Sequence, residues 1–238
     1  DFNTAANWVG DVLPGAADIA IINTAGPTIT LAAARSVTAV QSSRAMEINS
    51  SGSLTTTGAN QLSASATLLG GTLTGGTWNF TGGTRLVPTS SGGTLNNVTL
   101  NQDLVLDATS ANVIIQGTTT FPAARMSGNS TYVYFAPGFV LNTLISVEGA
   151  TAGSRNIIMA YGGAGTFTVG ATGVIRLATG SGGDLTMSNS SVSTLVNNGL
   201  ISNEATGRTL TINNSTFTNN TTTRATAGSL SMSPTNLT

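Results

Sequence analysis

The chain has 238 residues, 39% hydrophobic, 5% aromatic and only 7% charged, with a net charge of −1. An ordinary soluble domain carries roughly 25% charge, so Thr, Ser, Asn and Gly must cover this surface, and scattered signs give no basic stripe to hold a phosphate backbone, which excludes nucleic acid. Alternating triplets such as Leu104-Val105-Leu106 and Leu210-Thr211-Ile212 exclude disorder, and with no apolar run near ~18 residues no membrane insertion is expected.

In chain order, residues 1–16 read as an irregular N-terminal cap. Asn7-Trp8 precedes the turn signals Val9-Gly10-Asp11 and Pro14-Gly15, and a Trp-bearing segment suits the end of a stacked core, with Trp8 there to bury area. Alternating strands follow at 18–22 and 28–31. Between 31 and 66 the pattern is weakest. Ser and β-branched residues interrupt any helical period there, so strands are predicted at 37–40 and 46–48.

Periodicity is strong from Gly70. "GGTLTGGTW" and "GGTLNNVTL" lie 22 positions apart, placing Leu73 with Leu95 and Trp78 with Leu100. Residues 121–161 depart from the pattern and hold Tyr132, Tyr134, Phe135, Phe139 and Tyr161. Such a cluster reads either as a sugar or partner patch or as alternate side chains filling wider coils. From Phe167 the repeat returns: Leu195, Phe217 and Leu237 are 22 and 20 positions apart, and Leu185, Leu210 and Leu230 are 25 and 20 apart.

A repeat of short strands and turns every 20 or so residues predicts an all-β fold, a parallel β-helix or β-solenoid of about 20–25 residues per coil running from 17 to 238 as one domain. A β-sandwich has no reason to repeat in register. Stacked coils pair each other's backbone groups, which places Leu185, Leu210 and Leu230 in one ladder, Met187, Ile212 and Met232 beside them, and Thr186, Thr211 and Ser231 in water. Asn197-Asn198 and Asn219-Asn220 fall at one turn, where Asn tolerates left-handed angles and can stack its amides. Arg176, Ser202 and Arg224 share an outward slot.

Chemistry is scarce. All eight basic residues are Arg and there is no His or Cys, so disulfides are absent and only carboxylates, Tyr, Ser and Arg remain as catalytic groups. The best acid pair, Asp103 and Asp107, would stand roughly 13 Å apart along a strand, against the about 5–9.5 Å of glycosidase pairs. No catalytic, metal or cofactor residues are predicted, and Asp184 in its glycine turn is too isolated for Ca²⁺. The candidate patch for a glycan or partner is Tyr132, Tyr134, Phe135 and Phe139. Thr triplets at Thr55–Thr57, Thr118–Thr120 and Thr221–Thr223 raise ice binding as a further alternative.

The lines "LVNNGLISNEATGRTLTINNSTFTNN", "GGTLTGGTWNFTGG" and "NWVGDVLPGAADIAIIN" resemble the repeats of large bacterial surface proteins, those with autotransporter-associated β-strand repeats or filamentous-haemagglutinin-like passenger domains. The resemblance covers about two thirds of the chain and implies a right-handed β-helix, export to the cell surface and a role as stalk, adhesin or fibre. The expected function is therefore a non-catalytic extracellular structural solenoid, part of a longer chain or self-associating end to end into filaments. A glycan-binding or polysaccharide-degrading β-helix is the alternative.

Overall fold

The computed structural model describes residues 1–189 and 192–238. The chain winds through about ten coils of a parallel β-solenoid, and its short strands stack on three faces; the coil that passes Thr120 has only an isolated bridge on the first of them. The first face begins with Ile19–Ile22 and holds two runs of five strands, and between them Thr120 makes an isolated parallel bridge to Thr99 at the end of the first run. The second face begins with Ile29–Leu31 and holds runs of four and six strands. The third face is one uninterrupted ten-stranded sheet, from Ala34–Val37 to Ser229–Met232.

The predicted ladders are present. Leu185, Leu210 and Leu230 lie in register, as do Met187, Ile212 and Met232, and Thr186, Thr211 and Ser231 alternate outward between them. Leu73 and Leu95 pair, as do Trp78 and Leu100. Most strands bury one parity of their residues and turn the other outward, and the inward columns fuse into one apolar core along the coils. At the corners neighbouring backbones nearly touch. A Cβ on Gly52 would stand 2.2 Å from the Leu31 carbonyl oxygen, which leaves room only for glycine.

Three expectations need correcting. The region 37–40 is two strands, Ala34–Val37 and Ala39–Ser42, because Thr38 turns a corner between the third and first faces. Coil length is broader than 20–25: on the third face successive partners are 19 residues apart at Arg35–Leu54–Leu73 and 30 apart at Ile157–Met187. Longer turns around 160–164 and 178–183 absorb the difference. Third, Asn197, Asn198, Asn219 and Asn220 do not adopt left-handed angles; Asn97, with φ 57°, does. The amides do stack. Asn197 Nδ2 donates to Asn219 Oδ1 at 2.8 Å, and Asn220 Nδ2 to Asn198 Oδ1 at 2.8 Å.

The ends differ. Over the first coil, residues Ala5–Asn7 and Val9–Asp11 form two 3₁₀ turns. Phe2 is buried, its N–H donates to the Thr30 carbonyl at 2.8 Å, and Trp8 meets it edge-on at 4.9 Å while Trp8 Nε1 donates to the Phe2 carbonyl at 2.9 Å. In the last coil, Leu230 is half-buried, and Met232 and Leu237 are 44% and 60% exposed. The widest coils bury one cation. Arg155 occupies an inward slot between Thr131 and Leu185, and its guanidinium donates to the carbonyls of Ser127, Thr151 and Gly153, each at 2.9 Å.

Candidate functional site

The three faces carry different chemistry. The second face collects the charge. Arg85 meets Asp107 at 2.7 Å, and Arg125 bridges Asp103 at 2.6 Å and Glu148 at 3.3 Å. Ser146 Oγ donates to Glu148 at 3.1 Å and receives Arg176 Nε at 3.3 Å, and Ser202 Oγ donates to Glu204 at 3.1 Å. Arg176, Ser202 and Arg224 share one column as expected. Asp103 and Asp107 are thus each held by a different Arg one coil away, and Asp103 in turn holds the Arg125 guanidinium more firmly protonated, with Glu148 adding to it. Asp184 accepts the Thr209 N–H at 2.8 Å. Apart from the Ser146–Glu148 and Ser202–Glu204 bonds, which lie within a coil, these contacts bind coil to coil.

The third face is nearly neutral. Among the described residues, Asp184 is the one charged residue on the outward parity of its ten strands. Its centre carries an aromatic belt. Tyr132 and Tyr134 stand parallel, ring centres 5.8 Å apart and planes 8° from parallel, and Tyr134 meets Tyr161 at 4.6 Å with a 49° tilt. In register with Tyr134 lie Ile114 and Ile158, and in register with Tyr132 lie Asn112 and Asn156. The belt gathers all three tyrosines of the chain.

The four-residue patch read from the sequence is therefore corrected. Tyr132 and Tyr134 face outward, but Phe135 and Phe139 are buried. They pack on Phe167 inside the wide coils, with Phe135 4.8 Å from each of the other two rings. Strand parity separates them: in Thr131–Phe135, Val133 and Phe135 share the inward side, and the tyrosines take the other. Tyr161, 39% exposed, reaches the belt from a turn whose N–H donates to the Phe135 carbonyl at 2.8 Å. No spacing rule in the sequence points to it.

Hydroxyl pairs two residues apart flank the belt. Ser53 and Thr55 lie beside Thr72 and Thr74 on one side, and Thr209 and Thr211 beside Ser229 and Ser231 on the other. The Thr triplets do not form this array. Thr56 and Thr119 are buried, Thr120 lies on the first face and Thr222 on the second. The belt splits the third-face array. On the first face, Val140 and Val196 interrupt the column of Thr168 and Thr218, and Thr218 and Thr238 bond each other at 2.9 Å.

No protein-family model, curated protein or solved structure matches the chain.

Proposed function

We propose that this is a non-catalytic, extracellular structural solenoid that acts at the bacterial cell surface as a stalk, adhesin or fibre. The observation that supports it most is where the reactive groups are spent. Asp103, Asp107 and Glu148 are paired with Arg85 and Arg125 one coil away, and the Asn197 and Asn219 amides bond to each other, so this polar chemistry serves axial cohesion. The resemblance of the repeats to bacterial surface proteins supports export. A surface of hydroxyls and amides with few charges suits the same setting.

Protease shaving and antibody labelling of intact source cells test the location. Labelling without permeabilisation, lost after shaving, is the expected result, and a signal only in permeabilised cells overturns the reading. Purified chain incubated with neutral and acidic polysaccharides should release no new reducing ends. The outer edge of the last coil, with Met232 and Leu237 open, would be covered by any further coil, from its own continuation or from another copy. Sedimentation velocity of the 238-residue chain should accordingly show species that grow with concentration; a single sedimenting monomer across that range would rule out end-to-end association of this segment.

A further inference from the structure

We infer that the third face binds a neutral polysaccharide, laid across the belt of Tyr132, Tyr134 and Tyr161.

The first support is the sorting of aromatic residues. All seven Phe side chains and Trp78 are buried, and Trp8 packs on the core at the capped end, whereas the three tyrosines stand together on the outside of one sheet. Core filling explains the former and not the latter. Tyr is the aromatic that tolerates water at one end and offers an apolar ring at the other. Tyr134 contacts both other rings, so Tyr132 and Tyr161, at the two ends of the row, carry the more open ring surface.

The second support is what surrounds the rings. A pyranose presents a face of slightly positive C–H groups and a rim of hydroxyls. The negative faces of aromatic rings suit the former, and amides, which donate and accept, suit the latter. Asn112 and Asn156 lie in register on either side of Tyr132, and Gln116 projects from the strand beside it. Beyond them along the axis lie the hydroxyls of Thr72, Thr74, Thr186 and Thr211.

Charge decides the class of polymer. The Arg and carboxylate pairs sit on the second face, and the strands that carry the belt present no outward charge. An anionic polysaccharide would find no cation there. Tyr134 holds its proton more tightly than an ordinary phenol because burial disfavours its anion, with Tyr132 and Tyr161 adding to the effect.

The openness of the face decides the length of the ligand. The rings stand on the outer side of one continuous sheet, so one sugar buries too little area to offset the cost of association, and affinity must accumulate over many units. A long chain running along the axis meets the rings at the centre and hydroxyls on both sides. This inference goes beyond surface location and does not depend on it.

Native electrophoresis of the full chain through gels containing hydroxyethylcellulose, laminarin or soluble starch, with alginate as the anionic control, tests the inference. At least one neutral polymer should retard the protein, and its tri- or tetrasaccharide fragments should compete at least about tenfold less well per mass. The Tyr132→Ala/Tyr161→Ala double variant should lose about tenfold or more in affinity, and Tyr134→Phe should retain it. Both replaced side chains point outward, and an unchanged thermal midpoint confirms the fold. Should the double variant unfold, Tyr161→Ala alone carries the test with a severalfold loss. Unaltered mobility in all three neutral polymers, retardation by alginate alone, or a double variant retarded as strongly as the parent each overturns the inference. None of these outcomes bears on the cell-labelling result, so the two readings fail separately.

Discussion

Leu185, Leu210 and Leu230 occupy one column, yet their surroundings differ. Leu210 has a coil above and a coil below and is fully buried, whereas Leu230 is half-exposed at the open end. Leu210→Ala leaves a cavity enclosed on both sides and should cost about 3 kcal/mol, and Leu230→Ala about 1 kcal/mol or less, read from urea unfolding. Tyr134 makes a pH prediction. Burial, and then Tyr132 and Tyr161, raise its phenol above the ordinary 10.0, so the folded state holds that proton more tightly than the unfolded chain. The resulting stability is complete below the unfolded value and is lost as pH rises through the folded one. The urea midpoint should hold to roughly pH 9.5 and then fall, and fall less in Tyr134→Phe. At this scale the inward leucines were readable from parity and period. Phe135 was misplaced because grouping by aromatic character ignored the alternation of Thr131–Phe135, which turns Tyr132 and Tyr134 out and Phe135 in, and Phe139, past the end of that strand, is buried against it.

A strand here is a few residues long and is stable only as a member of its stack. What fixes each stack is the corner. Asn197 is fully buried, its Nδ2 bonds Asn219 Oδ1, the Thr222 carbonyl and Thr223 Oγ1 at 2.8–3.1 Å, and its Oδ1 accepts the Gly199 N–H at 3.1 Å. Asn197→Ala strands those groups away from water and should cost about 2–4 kcal/mol, more than any single surface Thr→Ala on the third face; thermal unfolding of the two variants compares them. Corners also set the limit of what the sequence disclosed. The boundary between Ala34–Val37 and Ala39–Ser42 is Thr38 alone, which carries no Gly or Pro signal, whereas the corner two coils later is Gly75-Gly76, with φ near 70°, and was legible at once. The turns around 160–164 and 178–183 hid the repeat between Val133 and Leu195 by stretching it, although the strands on either side kept their pairing.

In the whole molecule each coil touches its two neighbours and little else, so stability is close to a sum of coil and interface terms. The last coil has one neighbour in this segment and exposes Met232 and Leu237. Its amides should exchange with deuterium faster than those of the strands Asn112–Gln116 and Thr131–Phe135, and mass-resolved hydrogen exchange at neutral pH gives that gradient directly. Sidedness is the other property of this scale, with ion pairs on the second face and a neutral, aromatic-centred third face. Neither was visible from composition, since sidedness arises only once residues 20 or more positions apart are set in columns.

Girth and pitch are independent in this architecture. A coil of 19 residues and one of 30 advance the axis by the same strand-to-strand step, about 4.8 Å, because extra residues leave through the corners. Duplicating or deleting a whole winding would therefore change reach in equal increments, each change remaking one junction between unlike coils. A lineage carrying such a gene could tune how far its product extends from an anchoring point by winding number, with one junction to re-fit at each change.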